Sequence, residues 1–163
     1  MLGRLYVGQD CAAARTLELV GERWSLLILR DALFRGFTRF SDFQHSLDIA
    51  PNILSRRLEA FVAAGLMRTI KDPRHPAHRQ YLLTDKGQHV KSVIVALAEW
   101  GDRWLGPGPA QFVHEGCGGV VRQHFHCARC GSEPPVTEIK GRARPGAPAC
   151  KAPPQRRSRA AAG

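Results

Sequence analysis

Apolar residues recur with helical spacing as far as residue 65. The stretch WSLLILRDALF at 24–34 is almost wholly apolar, as expected of a buried helix. In APNILSRRLEAFVAAG at 50–65, apolar side chains share one face and polar ones the other. The inner face holds Leu54, Leu58, Phe61 and Val62, and the outer face holds Asn52, Arg56, Glu59 and Ala63. The spacing predicts four helices over 14–21, 24–34, 38–47 and 50–65, with Thr38 capping the third.

The pattern changes after Gly65. LMRTI at 66–70 and QYLLT at 80–84 are short runs rich in β-formers around the turn-rich segment KDPRHPAHR, which predicts a hairpin with a long tip. Thr84 then predicts the cap of one long helix over 85–104. That helix carries a broad apolar stripe ending in Trp100 and Trp104.

Four helices, a hairpin and a final helix predict a mainly α (α+β) fold, the winged helix-turn-helix. Residues 50–65 take the position of the recognition helix, 66–84 form the wing, and 85–104 form a long C-terminal dimerisation helix.

Three parts are expected along the chain. Residues 1–105 form the DNA-binding and dimerisation domain, and the linker GPGPA opens a small zinc-ribbon-like module at 106–140. Residues 141–163 carry six basic and no acidic side chains together with four prolines, which predicts a disordered basic tail that adds nonspecific DNA affinity.

Composition excludes several classes of function. The chain has no run of eighteen apolar residues, so no membrane span is predicted. Its N-terminus lacks a signal-peptide core, which indicates the cytoplasm. We find no G-x-S-x-G, P-loop, GxGxxG or deaminase pattern, so no enzyme is predicted.

The net charge of +10 is unevenly distributed. Residues 49–82 hold six basic and two acidic side chains, whereas the rest of 1–105 is neutral. Such a basic stripe is typical of a nucleic-acid binder, and double-stranded DNA is the predicted partner.

The pair Arg56-Arg57 has two interpretations. A solvated basic helix face is the ordinary one. Three features favour DNA: the short turn after the preceding helix, the polar outer face and the basic hairpin. The predicted contacts are Asn52 and Arg56 with bases, and Ser55, Arg57, Lys71, Arg74 and Arg79 with phosphates.

Residues 11–104 resemble the HxlR-type winged-helix transcriptional regulators. The matching elements are C-x₃-R-T-L-E-L-V-G-E-R-W-S-L-L-I-L-R-D (11–31), R-F-S-D-F (39–43), L-S-R-R-L-E-A-F-V-A-A-G-L (54–66) and Y-L-L-T-D-K-G (81–87). The resemblance implies a homodimer on a pseudo-palindromic operator, most simply a repressor. Ala50 departs from the family's usual Ser before Pro51, so a side-chain cap worth about 1 kcal/mol is missing.

The stripe on 85–104 favours the dimer independently, because contiguous exposed apolar area marks a partner surface. The alternative is that both Trp residues complete the monomer core.

Cysteines supply the remaining chemistry. Cys11 opens the first helix, where a thiol can sense oxidants, as in some members of the resembled family; the alternative is a buried interface residue. His114-x₂-Cys117-Gly and Cys127-x₂-Cys130-Gly predict one structural zinc. His124 or His126 can replace His114, and a metal-free remnant or a redox-active CxxC are the alternatives. Cys150, in the tail, has no assigned role.

A sequence-specific, redox- or ligand-responsive regulator is the leading prediction, although no spacing identifies a small-molecule effector. The alternative is a nonspecific DNA-binding protein whose C-terminal module mediates protein interaction. The ratio of its affinity for a specific site to its affinity for random DNA distinguishes the two. An enzyme at 114–131 would need a cleft that thirty residues hardly form.

Overall fold

The computed structural model describes residues 6, 11–72 and 76–146 of the chain. Its helices are α1 (Ala12–Val20), α2 (Ser25–Phe34), α3 (Phe40–Leu47), α4 (Pro51–Ala63), α5 (Asp85–Gln88) and α6 (Lys91–Trp104). Strands β1 (Met67–Lys71) and β2 (Arg79–Leu83) pair antiparallel, with Met67 opposite Leu83 and Lys71 opposite Arg79. A 3₁₀ turn follows at Val136–Glu138. The predicted winged helix-turn-helix is confirmed.

The core lies where α2, α3 and α4 meet the base of the hairpin. The predicted inner face of α4 is confirmed in it: Leu54, Leu58 and Phe61 are at most 1% exposed, and Val62 packs half-buried beside them. Each fully buried side chain of this kind stabilises the fold by about 1.5–3 kcal/mol. That burial fixes which face of α4 remains outside.

A three-residue turn joins α3 to α4. Asp48 adopts a left-handed conformation (φ 48°), which short polar side chains tolerate. Ala50 precedes the helix without a side-chain cap, and Pro51 opens it at a position where its missing N–H costs nothing. The turn is therefore short enough to hold α4 at a fixed angle to α3.

Two local predictions need correction. Thr38 does not cap α3; its carbonyl accepts a hydrogen bond from the Tyr81 N–H (2.7 Å), because the chain before α3 runs beside β2. The predicted helix over 85–104 is two helices. The Val90 N–H bonds to the Gly87 carbonyl three residues back, and this tighter turn separates α5 from α6.

Thr84 caps α5 as predicted. Its Oγ1 accepts from the Gly87 N–H (3.2 Å), and its hydroxyl donates to the Gly65 carbonyl (2.6 Å). A Cβ on Gly87 would lie 2.1 Å from the Leu66 carbonyl oxygen, so the close approach of α5 to the hairpin requires glycine there.

The segment after the predicted linker folds back onto the domain. The Phe112 ring lies 4.6 Å from that of Phe34 on α2, centroid to centroid. The Gln123 amide donates to the Ser92 carbonyl on α6 (2.6 Å), and its backbone N–H donates to the Glu99 carboxylate (3.1 Å). Residues 112–123 are thus docked on α2 and α6.

Across the described ranges, no helix is both long and apolar enough to cross a bilayer. Arg74 and most of the predicted tail, including Cys150, lie outside the described residues.

Candidate nucleic-acid interface

The outer face of α4 is polar and open. Asn52, Arg56 and Glu59 are exposed, as the helical period requires when Leu54 and Leu58 point inward. Within the described part of the chain, no hydrogen bond or ion pair engages the Arg56 guanidinium. This face can therefore present a fork of donors without first breaking an internal contact.

The neighbouring polar groups are partly engaged. The Asn52 Oδ1 accepts from the Ile53 N–H (2.9 Å), which leaves its amide N–H groups outward as donors. The Ser55 hydroxyl is half-buried and donates to the Glu59 Oε1 (3.0 Å). A phosphate contact from Ser55 would have to replace that bond.

Arg57 corrects the sequence-based assignment. It is only 8% exposed, and its Nε lies 3.5 Å from the Glu22 Oε2 in the turn between α1 and α2. Consecutive helical residues point about 100° apart, so Arg56 and Arg57 cannot share one face. Arg57 joins α4 to the first helices and does not lie on the outer surface expected of a phosphate contact.

Replacing Arg57 by methionine is therefore expected to leave DNA affinity nearly unchanged, by less than about 0.5 kcal/mol. Methionine covers the same apolar surface, and the lost pair with half-exposed Glu22 costs up to about 1 kcal/mol of stability. Fluorescence-anisotropy titration on one DNA duplex, with Arg56→Met as the matched variant, measures this. Equal weakening by both variants would restore Arg57 to the interface.

The wing adds cations on its outer side. Lys71 and Arg79 face each other across the hairpin and are both exposed. Both are thus free to approach a phosphate backbone from one edge of the wing.

An ion pair between a half-buried arginine and a buried carboxylate fixes the wing, and the sequence did not reveal it. Asp72 is 1% exposed, and the Arg39 Nε lies 2.8 Å from its Oδ2. The two side chains line a groove of about 540 Å³ between α3 and the wing. No sequence periodicity links Arg39 to Asp72, because they are more than thirty positions apart. The one available signal was that Asp72 is an acidic residue beside a proline in an otherwise basic segment. The pair holds the wing against the helix-turn-helix unit.

A second buried carboxylate joins α2 to α3. Asp31 is fully buried; its Oδ2 accepts from the Ser46 hydroxyl (2.7 Å) and its Oδ1 from the Arg30 Nε (2.9 Å). In the sequence, Asp31 was one of three polar residues in a predominantly apolar helix. Charge-assisted bonds of this kind fix the helix angle more tightly than apolar contact alone.

The cysteine groups are placed as follows. Cys11 is exposed and caps α1, its Sγ accepting from the Ala14 N–H (3.3 Å). Hydrogen bonds with Ser132, and then with the Cys127 thiol, lower the pKa of Cys130 from 9.0 to about 7. Within the described ranges, no three His, Cys, Asp or Glu side chains form a metal-holding group, so the four predicted zinc ligands do not meet here.

Comparison with known proteins identifies the family that shares this architecture. Residues 19–109 match the family model described as HxlR-like helix-turn-helix. The HTH-type transcriptional regulator Rv3095 of Mycobacterium tuberculosis is 40% identical over 126 residues, covering 75% of this chain and 78% of its own. The regulator YtfH of Escherichia coli is 35% identical over 99 residues, covering 60% and 77%.

Solved structures agree. PA1607, described as a candidate transcription factor, has a TM-score of 0.73 at 34% identity and covers 83% of this chain and 96% of its own. PA1374 of Pseudomonas aeruginosa, with the same description, has a TM-score of 0.59 at 42% identity and covers 85% and 95%. The family model spans more than half of the chain, and the recognition helix and wing occupy the positions described above. The chain therefore belongs to the HxlR-like helix-turn-helix family: it is a DNA-binding transcriptional regulator and not an enzyme.

Proposed function

We propose that the protein is a homodimeric repressor that binds a pseudo-palindromic operator and blocks transcription by occupying the promoter. The observation that carries this proposal is the open polar face of α4 beside the cations of the wing. A helix of this kind reads base edges in the major groove while flanking cations bind phosphates. Because its target is chromosomal DNA, the protein acts in the cytoplasm.

The contacts divide by side-chain chemistry. Arg56 and Asn52 reach bases, because a guanidinium fork matches guanine and an amide matches adenine. Lys71, Arg79 and Ser55 bind phosphates, as does Arg74 outside the described residues. Phosphate contacts determine the affinity for DNA and its salt dependence, whereas base contacts determine which DNA sequence is preferred.

The α6 stripe supports the dimer. Leu97, Trp100 and Trp104 are 51%, 58% and 63% exposed in the single chain, so the two Trp residues do not complete its core. Val93, which is 40% exposed, lies on the same face of the helix, because the four residues follow the spacing i, i+4, i+7 and i+11. We call Val93, Leu97, Trp100 and Trp104 the α6 stripe. Apolar area of this kind is typical of an isologous interface.

Selection of bound fragments from sheared genomic DNA, with reduced protein at near-physiological salt, tests the proposal. Enrichment of a short inverted repeat is expected. Uniform recovery that disappears as salt rises would instead support a nonspecific binder whose C-terminal module mediates protein interaction.

A redox response through Cys11 is a second part of the proposal. Its thiol is exposed at the start of α1, the setting in which thiols react. Among similar folds is a reduced form of the regulator YodB from Bacillus subtilis, 26% identical to this chain. Peroxide would oxidise the thiol to a sulfenic acid while the peroxide is reduced to water or an alcohol.

Cys11→Ser is therefore expected to keep operator binding after peroxide treatment, whereas the unmodified protein loses it. Gel-shift titration before and after treatment, followed by a thiol reductant, measures the effect. Cys150→Ser, which removes a thiol to which no role is assigned, is the matched control. An unchanged response in Cys11→Ser would exclude this residue as the sensor.

A further inference from the structure

Two segments of the C-terminal module form the same turn. In the first, the Gly118 N–H donates to the His114 carbonyl (2.7 Å); in the second, the Gly131 N–H donates to the Cys127 carbonyl (2.8 Å). Both glycines have a left-handed φ, 71° and 72°, which a side chain would oppose. We call residues 114–118 and 127–131 the two knuckles.

Each knuckle carries two metal-binding residues three positions apart, on either side of one tight turn. The His114 Nδ1 lies 3.2 Å from the Cys117 Sγ, although both side chains are exposed and free to separate. The second knuckle repeats the backbone geometry of the first: the Cys127 N–H donates to the Ser132 carbonyl (2.9 Å), as the His114 N–H donates to the Gly119 carbonyl (2.8 Å). A turn that holds two ligands on one side is half of a tetrahedral site.

The same module lacks an apolar core. Of residues 106–146 none is buried, and the half-buried ones are Phe112, Cys127 and Pro134. Val113, Val120 and Phe125 are 53%, 50% and 56% exposed. A segment of this size without a core needs a disulfide or a metal to hold one conformation.

We propose that the two knuckles bind one structural Zn²⁺ through His114, Cys117, Cys127 and Cys130. Three thiolates and one imidazole make a ligand set typical of closed zinc sites. Zinc binding draws the second knuckle onto the first, since the four side chains do not form one group in the structure described above. The energy of coordination drives this closure, as in other metal-dependent small modules.

The structure also selects among the histidines. His124 lies between the knuckles, but its Nδ1 faces the Glu133 Oε2 at 3.5 Å. His114 already lies in contact with its partner thiol inside a knuckle. These contacts favour His114 over His124 as the fourth ligand.

Zinc fixes a loop that touches α6. Gln123, between the knuckles, bonds to Ser92 and Glu99 of that helix. Closing the knuckles restrains both ends of this loop. Metal binding is expected to slow amide hydrogen exchange over 118–126 and not over α4.

Metal analysis of the reduced, full-length protein tests the proposal, followed by chelator removal and titration with Zn²⁺ or Co²⁺. We expect one zinc per chain and, with cobalt, the visible absorption of tetrahedral thiolate coordination. Cys127→Ser and His114→Ala lose stoichiometric binding. Cys11→Ser and His124→Ala, which remove one thiol and one imidazole elsewhere, retain it.

Because the ligand variants can misfold, the decisive measurement uses the unmodified chain. Competition with a chromophoric chelator gives its zinc affinity directly. Failure of the reduced protein to hold a stoichiometric metal, or retention in Cys127→Ser, would overturn the proposal. A Cys127–Cys130 disulfide in protein kept reduced throughout, seen as the loss of two hydrogens in the mass, would do so as well.

Discussion

Arg56→Ala is expected to weaken binding to the selected operator by about 1–3 kcal/mol, and each 1.4 kcal/mol corresponds to a tenfold change. The side chain lies on the outer face of α4 with no internal partner among the described residues, so the free protein loses little by its removal. The cost of removing Arg56 therefore arises in the DNA complex, where its guanidinium contacts a base edge. The variant should also discriminate less between the four base pairs at the contacted position.

Two matched variants separate base reading from charge. Lys71→Ala removes an exposed cation from the wing and should weaken all sequences alike, lowering the salt slope by about one. Arg122→Ala removes the same side chain from the C-terminal module and should change neither preference nor slope appreciably. Anisotropy titrations on the operator, on point-substituted operators and on random DNA at several salt concentrations measure all three.

The alternative results are equally informative. If Arg56→Ala weakens operator and random DNA equally, Arg56 binds phosphate and the helix lies differently in the groove. If Arg56→Ala leaves DNA affinity unchanged while Asn52→Ala lowers it, the N-terminal end of α4 faces the bases instead. In either case the orientation inferred from the exposed face would be wrong.

The periodicity of α4 explains why its face was predictable and its arginine pair was not. Burial of Leu54, Leu58 and Phe61 follows from spacing alone. The side on which Arg57 falls follows equally from 100° per residue, but its partner Glu22 belongs to a turn that only the tertiary fold brings near. Two adjacent cations look equivalent in a sequence, and one of them is structural.

Buried carboxylates limit sequence-based prediction for the same reason. Asp31 and Asp72 carry no periodic signal, and their partners are fixed by helix packing and hairpin register. The break between α5 and α6 is a further case, because Val90 fits the apolar stripe of one long helix. Motif spacing located His114, Cys117, Cys127 and Cys130, but it did not show that these four side chains remain apart in the described part of the structure.

Leu97→Glu is expected to convert the protein to a monomer and to reduce operator affinity by roughly 10²–10⁴, the gain that linking two binding units provides. Leu97 is half-exposed in the single chain, so its replacement spares the core. In an isologous dimer the substitution places a carboxylate on both sides of one apolar contact. Burying unpaired charge of the same sign there costs several kcal/mol.

Sedimentation velocity at micromolar protein, together with operator titration, measures both effects. Val136→Glu is the matched control: it places the same charge on an apolar residue that is 69% exposed but lies outside the α6 stripe. That variant should remain dimeric and bind normally. Circular dichroism of Leu97→Glu should retain the helical signal of the unmodified protein.

The link between assembly and DNA binding gives the sharper test. Two recognition helices read successive major grooves only if the dimer holds them about 34–36 Å apart. A folded Leu97→Glu monomer should therefore protect one half-site, at an affinity independent of the spacing between half-sites, while the unmodified protein tolerates little change in spacing. If Leu97→Glu stays dimeric, the α6 stripe is not the dimer interface. If it becomes monomeric yet binds the full operator undiminished, each chain recognises its site alone and the palindrome has no role in affinity.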